Sequence, residues 1–90
     1  MTIAEEILKA VADYVGNDLT REFSRQDIRL QAGITKQDWD ASYSPVFQAM
    51  RADQPGGAPD LREEHKGVFM QISYGRHSLT DYGQRLISQL

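Results

Sequence analysis

Ser24-Arg25-Gln26-Asp27-Ile28-Arg29-Leu30-Gln31-Ala32-Gly33-Ile34-Thr35 is the stretch on which the fold turns. Ser24 reads as a helix N-cap, and Asp27 sits in the first turn, where negative charge is favoured. Phe23 precedes the cap and Ile28 falls at the fourth helical position, the arrangement of a hydrophobic staple. Gly33 stops this helix, which spans 24 to 32. After a tight Ala32-Gly33-Ile34 turn, Thr35 caps the next helix, with Asp38 three residues on.

Upstream, residues 2 to 16 predict a longer helix. Thr2 and Glu5 make a capping box, and Gly16 is the stop. Ile3, Ile7, Leu8, Val11, Tyr14 and Val15 fall on one face. Glu5, Glu6, Lys9 and Asp13 fall on the other, with Glu5 and Lys9 at i,i+4 spacing. Downstream, Trp39, Tyr43, Val46, Phe47 and Met50 form an apolar stripe opposite Gln37, Ala41, Ser44, Gln48 and Arg51. Pro45 leaves two readings open. It kinks one helix, or Ser44 caps a new helix with Pro45 in its first position.

Residues 53 to 66 are turn-rich and long for a compact domain. Residues 67 to 73 predict a strand with Val68, Met70 and Ile72 on one face and Phe69 on the other, toward a second buried face or an interface. Tyr74-Gly75 makes a tight turn, 76 to 79 a return strand, and Thr80 caps a last helix bearing Tyr82, Leu86, Ile87 and Leu90. The aromatic set Trp39, Tyr43, Phe47, Phe69 and Tyr82 is expected in the core. Two helices joined by a short Gly-containing turn are the helix-turn-helix signal. With a hairpin after the third helix, the expected class is α+β: a winged helix-turn-helix of three-helix core, β-hairpin wing and C-terminal helix, in one domain over 1–90.

Composition narrows function more than it defines it. The chain has 90 residues, a formal net charge of -3 and no Cys. Disulfides, thiolate metal sites and a cysteine nucleophile are excluded. No apolar run approaches the ~20 residues of a membrane span, and the start Met1-Thr2-Ile3-Ala4-Glu5-Glu6 has no signal-peptide pattern. A cytoplasmic protein without membrane contact is expected. His65 and His77 lack metal-ligand spacing. No nucleophile–base set or paired carboxylates stand in a recognisable motif. The expectation is a non-enzyme with no cofactor and no small-molecule substrate.

Tyr43-Ser44-Pro45-Val46-Phe47-Gln48-Ala49-Met50-Arg51-Ala52-Asp53-Gln54-Pro55-Gly56-Gly57-Ala58-Pro59 resembles a bacterial family of small uncharacterised winged-helix domains. Gly67-Val68-Phe69 and Gly75-Arg76-His77-Ser78-Leu79-Thr80-Asp81-Tyr82-Gly83 extend the likeness, which covers roughly Phe23 to Gly83. Such domains occur alone or fused to nuclease and restriction-type modules. The resemblance implies a setting in DNA metabolism or defence and brings no settled biochemical function with it.

Two functions are carried forward. The first is regulatory or defence-associated binding of double-stranded DNA. Arg21, Arg25, Arg29 and Lys36 would hold phosphates, Gln37, Ser44 and Gln48 would face bases, and Arg76 would act from the wing. Against it, Arg21, Arg25 and Arg29 are matched within residues 17 to 33 by Asp18, Glu22 and Asp27. The second is contact with another copy or another protein on the same scaffold, using the loop Pro55, Gly56, Gly57, Ala58 and Pro59. The residues of that loop favour a structural role, as a rigid cover over the core.

Overall fold

The computed structural model describes residues 1–53 and 61–90, so the loop from Pro55 to Pro59 lies outside the described residues. Helix α1 (Ile3–Val15) opens on the expected capping box: the Thr2 hydroxyl accepts from the Glu5 amide, and the Thr2 amide donates to the Glu5 carboxylate. These bonds hold the Glu5 carboxyl below its ordinary range. They also draw it away from Lys9, which pairs instead with Asp13 at 3.4 Å. Helix α2 (Arg25–Ala32) opens the same way, with Ser24 as cap and Asp27 as the reciprocal partner. Each such cap is worth about 1 kcal/mol. Phe23 and Ile28, the staple pair, are both fully buried. Gly33, at φ 73°, takes the left-handed conformation that closes α2.

The third helical run puts Pro45 in the first turn of a new helix, as one reading has it, but without Ser44 as the cap. It consists of α3 (Lys36–Asp38), a π-helical turn (Trp39–Tyr43) and α4 (Ser44–Ala49). Proline has no amide to donate and its ring presses on the carbonyl four residues back. The backbone widens rather than breaks. The Ser44 amide donates to the Trp39 carbonyl, five residues back. Tyr43 and Ser44 both keep right-handed helical dihedrals. Ser44 is therefore not a cap, and Pro45 sits in the first turn of α4.

Strands β1 (Phe69–Ser73) and β2 (Arg76–Leu79) pair antiparallel, Phe69 opposite Leu79 and Gln71 opposite His77, with an irregularity between Gln71 and Ser73. The strand begins two residues later than expected, and its inward face is the other one. Phe69 is fully buried, whereas Met70 and Ile72 are 40% and 45% exposed. Val68 is buried ahead of the strand, its amide donating to the Met50 carbonyl. The aromatic ring decides the face. Phe69 packs at 4.5 Å centroid distance on Phe47 and edge-on against Phe23, a gain that outweighs half-exposing two flexible aliphatic chains.

Backbone bridges extend the hairpin on both sides. Phe23 and His77 exchange both hydrogen bonds, at 2.9 and 2.8 Å. Arg51 bridges Phe69 in parallel, with the Ala52 amide donating to the Phe69 carbonyl at 2.8 Å. The segment entering α2 and the end of α4 thereby flank the hairpin. A 3₁₀ turn at Glu63–His65 occupies part of the expected loop. Helix α5 (Asp81–Ser88), capped by Thr80, packs on α1 and β2. Tyr82 is not in the core. It is 36% exposed, and its hydroxyl donates to the Glu64 carbonyl. The result is an α+β arrangement of helices around one antiparallel hairpin.

Gly83 is where α5 meets the hairpin most tightly. A Cβ there would lie 1.9 Å from the Val68 carbonyl oxygen. Gly83→Ala is expected to push α5 away and lower the unfolding free energy by about 2 kcal/mol. A lowered urea midpoint, read by circular dichroism, checks this.

Candidate functional site

The cations of the helix-turn-helix region sort into two groups. Arg25, Arg29 and Lys36 line one groove of about 220 Å³ between α2 and α3, together with Gln26, Trp39 and Ser44. Asp40 shares this groove and pairs with Lys36 at 2.8 Å. Arg29 also braces the turn, donating to the Ile34 carbonyl at 3.1 Å. Arg21 is elsewhere. Its guanidinium stacks 4.2 Å over the Tyr14 ring and donates to the Tyr14 carbonyl, which ties it to α1. Gln37 is exposed on α3, and Arg76 is exposed at the start of β2.

Arg25 is the junction. It donates to the Ser44 hydroxyl at 2.9 Å and to Gln48 Oε1, and lies 4.9 Å over the Phe47 ring. Two residues expected to face bases, Ser44 and Gln48, thus accept hydrogen bonds from an arginine of α2. Arg25 is half-buried, and burial first, then the charge of Arg51, draws its pKa down. Arg51 was visible in sequence only as one member of a polar stripe. It is 6% exposed, donates to Gln48 Oε1 at 3.2 Å, and grips Asp53 through Nε and Nη2 at 3.3 and 2.9 Å. Those bonds hold the Asp53 carboxyl below its ordinary range, despite the opposing effect of its partial burial.

A second groove, of about 420 Å³, lies on the other side of Arg25. Ser24, Arg25 and Gln26 of the α2 entrance form one wall; Arg51, Gln71, Tyr74, Gly75 and His77 form the rest. His77 is 2% exposed in a box of Phe23, Phe47 and Phe69 rings, stacked on the first and edge-on to the others. Neither of its buried ring nitrogens has a hydrogen-bond partner among the described residues. Burial, reinforced by the charges of Arg51 and Arg25, pushes its pKa down to about 4. The ring is neutral at pH 7. Alternation along β2 places residue 77 on Leu79's face, which was a signal available in the sequence; its proximity to Arg51 was not.

A third groove, of about 870 Å³, runs between α1 and α5, with Leu8, Ala12, Leu19, Leu86 and Ile87 among its lining. Among the described residues no helix is long and apolar enough to cross a membrane, and no group of three or more His, Cys, Asp or Glu could hold a metal ion. No family model, curated protein or solved structure matches the chain.

His77 makes stability pH-dependent. Its pKa falls from 6.5 in the unfolded chain to about 4 in the folded one. Between these values the unfolded state binds more protons, so stability is complete above the higher value and declines as pH falls toward the lower. The loss reaches roughly 3 kcal/mol once both states are protonated. Urea titrations across this range are expected to show that decline in the wild type and a much flatter profile in His77→Leu.

Proposed function

We propose that the protein is a winged-helix domain that binds double-stranded DNA through phosphate contacts running from α3, across α2, to the hairpin. The observation that carries this reading is the position of Arg25, which lines both grooves and joins the Arg29–Lys36 cluster to the hairpin side. The order of elements supports it: helix, helix, short turn, helix, hairpin, closing helix. The family resemblance of residues 43 to 59 points the same way. Affinity on this reading is electrostatic in the main. Ser44 and Gln48 are committed to Arg25, so their side chains position the cation and leave base readout to exposed Gln37. Bacterial regulation or defence is the setting this reading implies.

The net charge of -3 requires the contact to be local. Lys36 and Arg76 are the cations to alter, because both are exposed and neither braces the core. With Arg25, Arg29, Lys36 and Arg76 on phosphates, the log affinity for a random duplex is expected to fall with log salt at a slope near about -3.6. Lys36→Glu with Arg76→Glu is expected to reduce that slope to about -1.8 and weaken low-salt binding at least about tenfold. Fluorescence anisotropy of a labelled duplex measures both. A duplex that does not bind at low salt rejects the reading and leaves protein contact, for which the apolar-floored α1–α5 groove is the available surface.

A further inference from the structure

We infer that the groove between the first turn of α2 and the hairpin is an oxyanion site that accepts one phosphate or sulfate group, held by Arg25 and Arg51 above a His77 floor. Three independent features meet there. The first is a pair of guanidiniums brought together on one acceptor, Gln48 Oε1, to which both donate. Asp53 offsets one of them, and the Asp27 carboxylate bonds the Ser24 amide at the edge of the groove, while Arg25 makes its hydrogen bonds to the neutral acceptors Ser44 and Gln48. An arginine held in place by its neighbours presents its remaining N–H groups at little entropic cost. Arg51 is fixed in this way by Gln48 and Asp53.

The second feature is the start of α2. Ser24, Arg25 and Gln26 line the groove. The Asp27 amide is taken by the Ser24 hydroxyl, and the Ile28 amide donates to the Ser24 carbonyl. The amides of Arg25 and Gln26 come before the first intrahelical bond and carry the positive end of the helix dipole.

The third is His77, which lines the same groove with both ring nitrogens buried and unpartnered among the described residues. A purely structural ring at this place would be better as a hydrocarbon, since each unsatisfied buried polar atom costs about 1–3 kcal/mol. An anion seated over the guanidiniums supplies the missing electrostatic partner. The charges acting on the imidazole are those of Arg51 at the end of α4, Arg25 of α2 and Asp53, and the Phe23 backbone favours its protonated form. Without an anion, burial first and then the two cations keep the ring neutral. With one, the cations' share is compensated and the ring takes a proton more readily. Anion binding and His77 protonation are therefore coupled, each favouring the other by the same factor.

The site does not depend on the DNA reading, which bears only on whether the phosphate belongs to a nucleic acid or is free. The test is an NMR titration of the intact chain with sulfate, whose charge does not change over the range used, against chloride at equal ionic strength. Sulfate is expected to shift the Arg25 and Arg51 side-chain resonances and to raise the His77 pKa. Its affinity is expected to be about tenfold tighter near pH 5 than near pH 7.5. In His77→Leu that pH dependence should vanish. Arg25→Gln, or Arg25→Lys if the first variant loses structure, should weaken binding, with retained amide dispersion as the control for folding. Chloride-like behaviour of sulfate in the wild type overturns the proposal. So do shifts confined to Arg29 and Lys36. A duplex arm separates the sources. If the duplex displaces sulfate, a nucleic-acid phosphate occupies the site. If sulfate binds and the duplex neither binds nor competes, the oxyanion site stands and the DNA reading fails.

Discussion

The reciprocal backbone pair between Phe23 and His77 is the constraint on which the rest of the structure depends. A two-stranded hairpin is marginal alone. Here β2 gains a second partner in a single residue that also stands immediately before the Ser24 cap of α2. The bridge therefore sets the position of α2 relative to the hairpin. It buries Phe23 and His77 face to face, and Phe47 and Phe69 close the box around them. On the opposite edge, Met50, Arg51 and Ala52 make the matching backbone contacts to Val68 and Phe69. Arg25 and Arg51 reach the same groove because Arg51 is itself a bridge residue and Arg25 stands two residues after the other bridge.

This dependence explains which features were legible in the sequence. Caps are local chemistry, so Thr2, Ser24, Thr35 and Thr80 could be read from short spacings, and each caps its helix as expected. The return strand at Arg76–Leu79 and its glycine turn were legible for the same reason. The face of β1 was not. Val68, Met70 and Ile72 alternate correctly, but alternation gives two faces and cannot say which one meets an aromatic cluster assembled from residues 23, 47 and 77. Lys9 pairs with Asp13 and not with Glu5, whose carboxylate is turned back onto the Thr2 amide; spacing alone offers Lys9 both partners.

Pro45 illustrates a different limit. Sequence rules treat proline as a break or a first-turn residue. Inserting a π turn satisfies the ring's steric demand while keeping one continuous run, because Trp39, Phe47 and Met50 all gain by staying buried on the same side. The candidate cations were legible only as a list. Separation of Arg21 from Arg25, Arg29 and Lys36 arises from the cation–π contact with Tyr14, made across the turn that ends α1, where helical spacing no longer describes which residues meet. Arg51 was hidden because its spacing places it on the polar stripe with Gln37, Ser44 and Gln48, and its burial arises only when the end of α4 meets the hairpin.

The chemistry at residue 77 ties these points together. Its position demands an inward-facing side chain that completes an aromatic box, and phenylalanine or leucine would meet that demand without an unpartnered nitrogen. Histidine adds nothing to packing that they lack, and beside two guanidiniums its charged form is disfavoured. The fold therefore carries an electrostatic cost at the one place where the α2 entrance, the end of α4 and the hairpin converge. Natural chains concentrate such local inconsistencies at functional sites, where the environment changes when a partner binds. An arginine pair with a neutral imidazole beneath it is unfavourable when empty and favourable around a negative charge, so the same residues that weaken the isolated domain in acid are those that an oxyanion would turn to advantage.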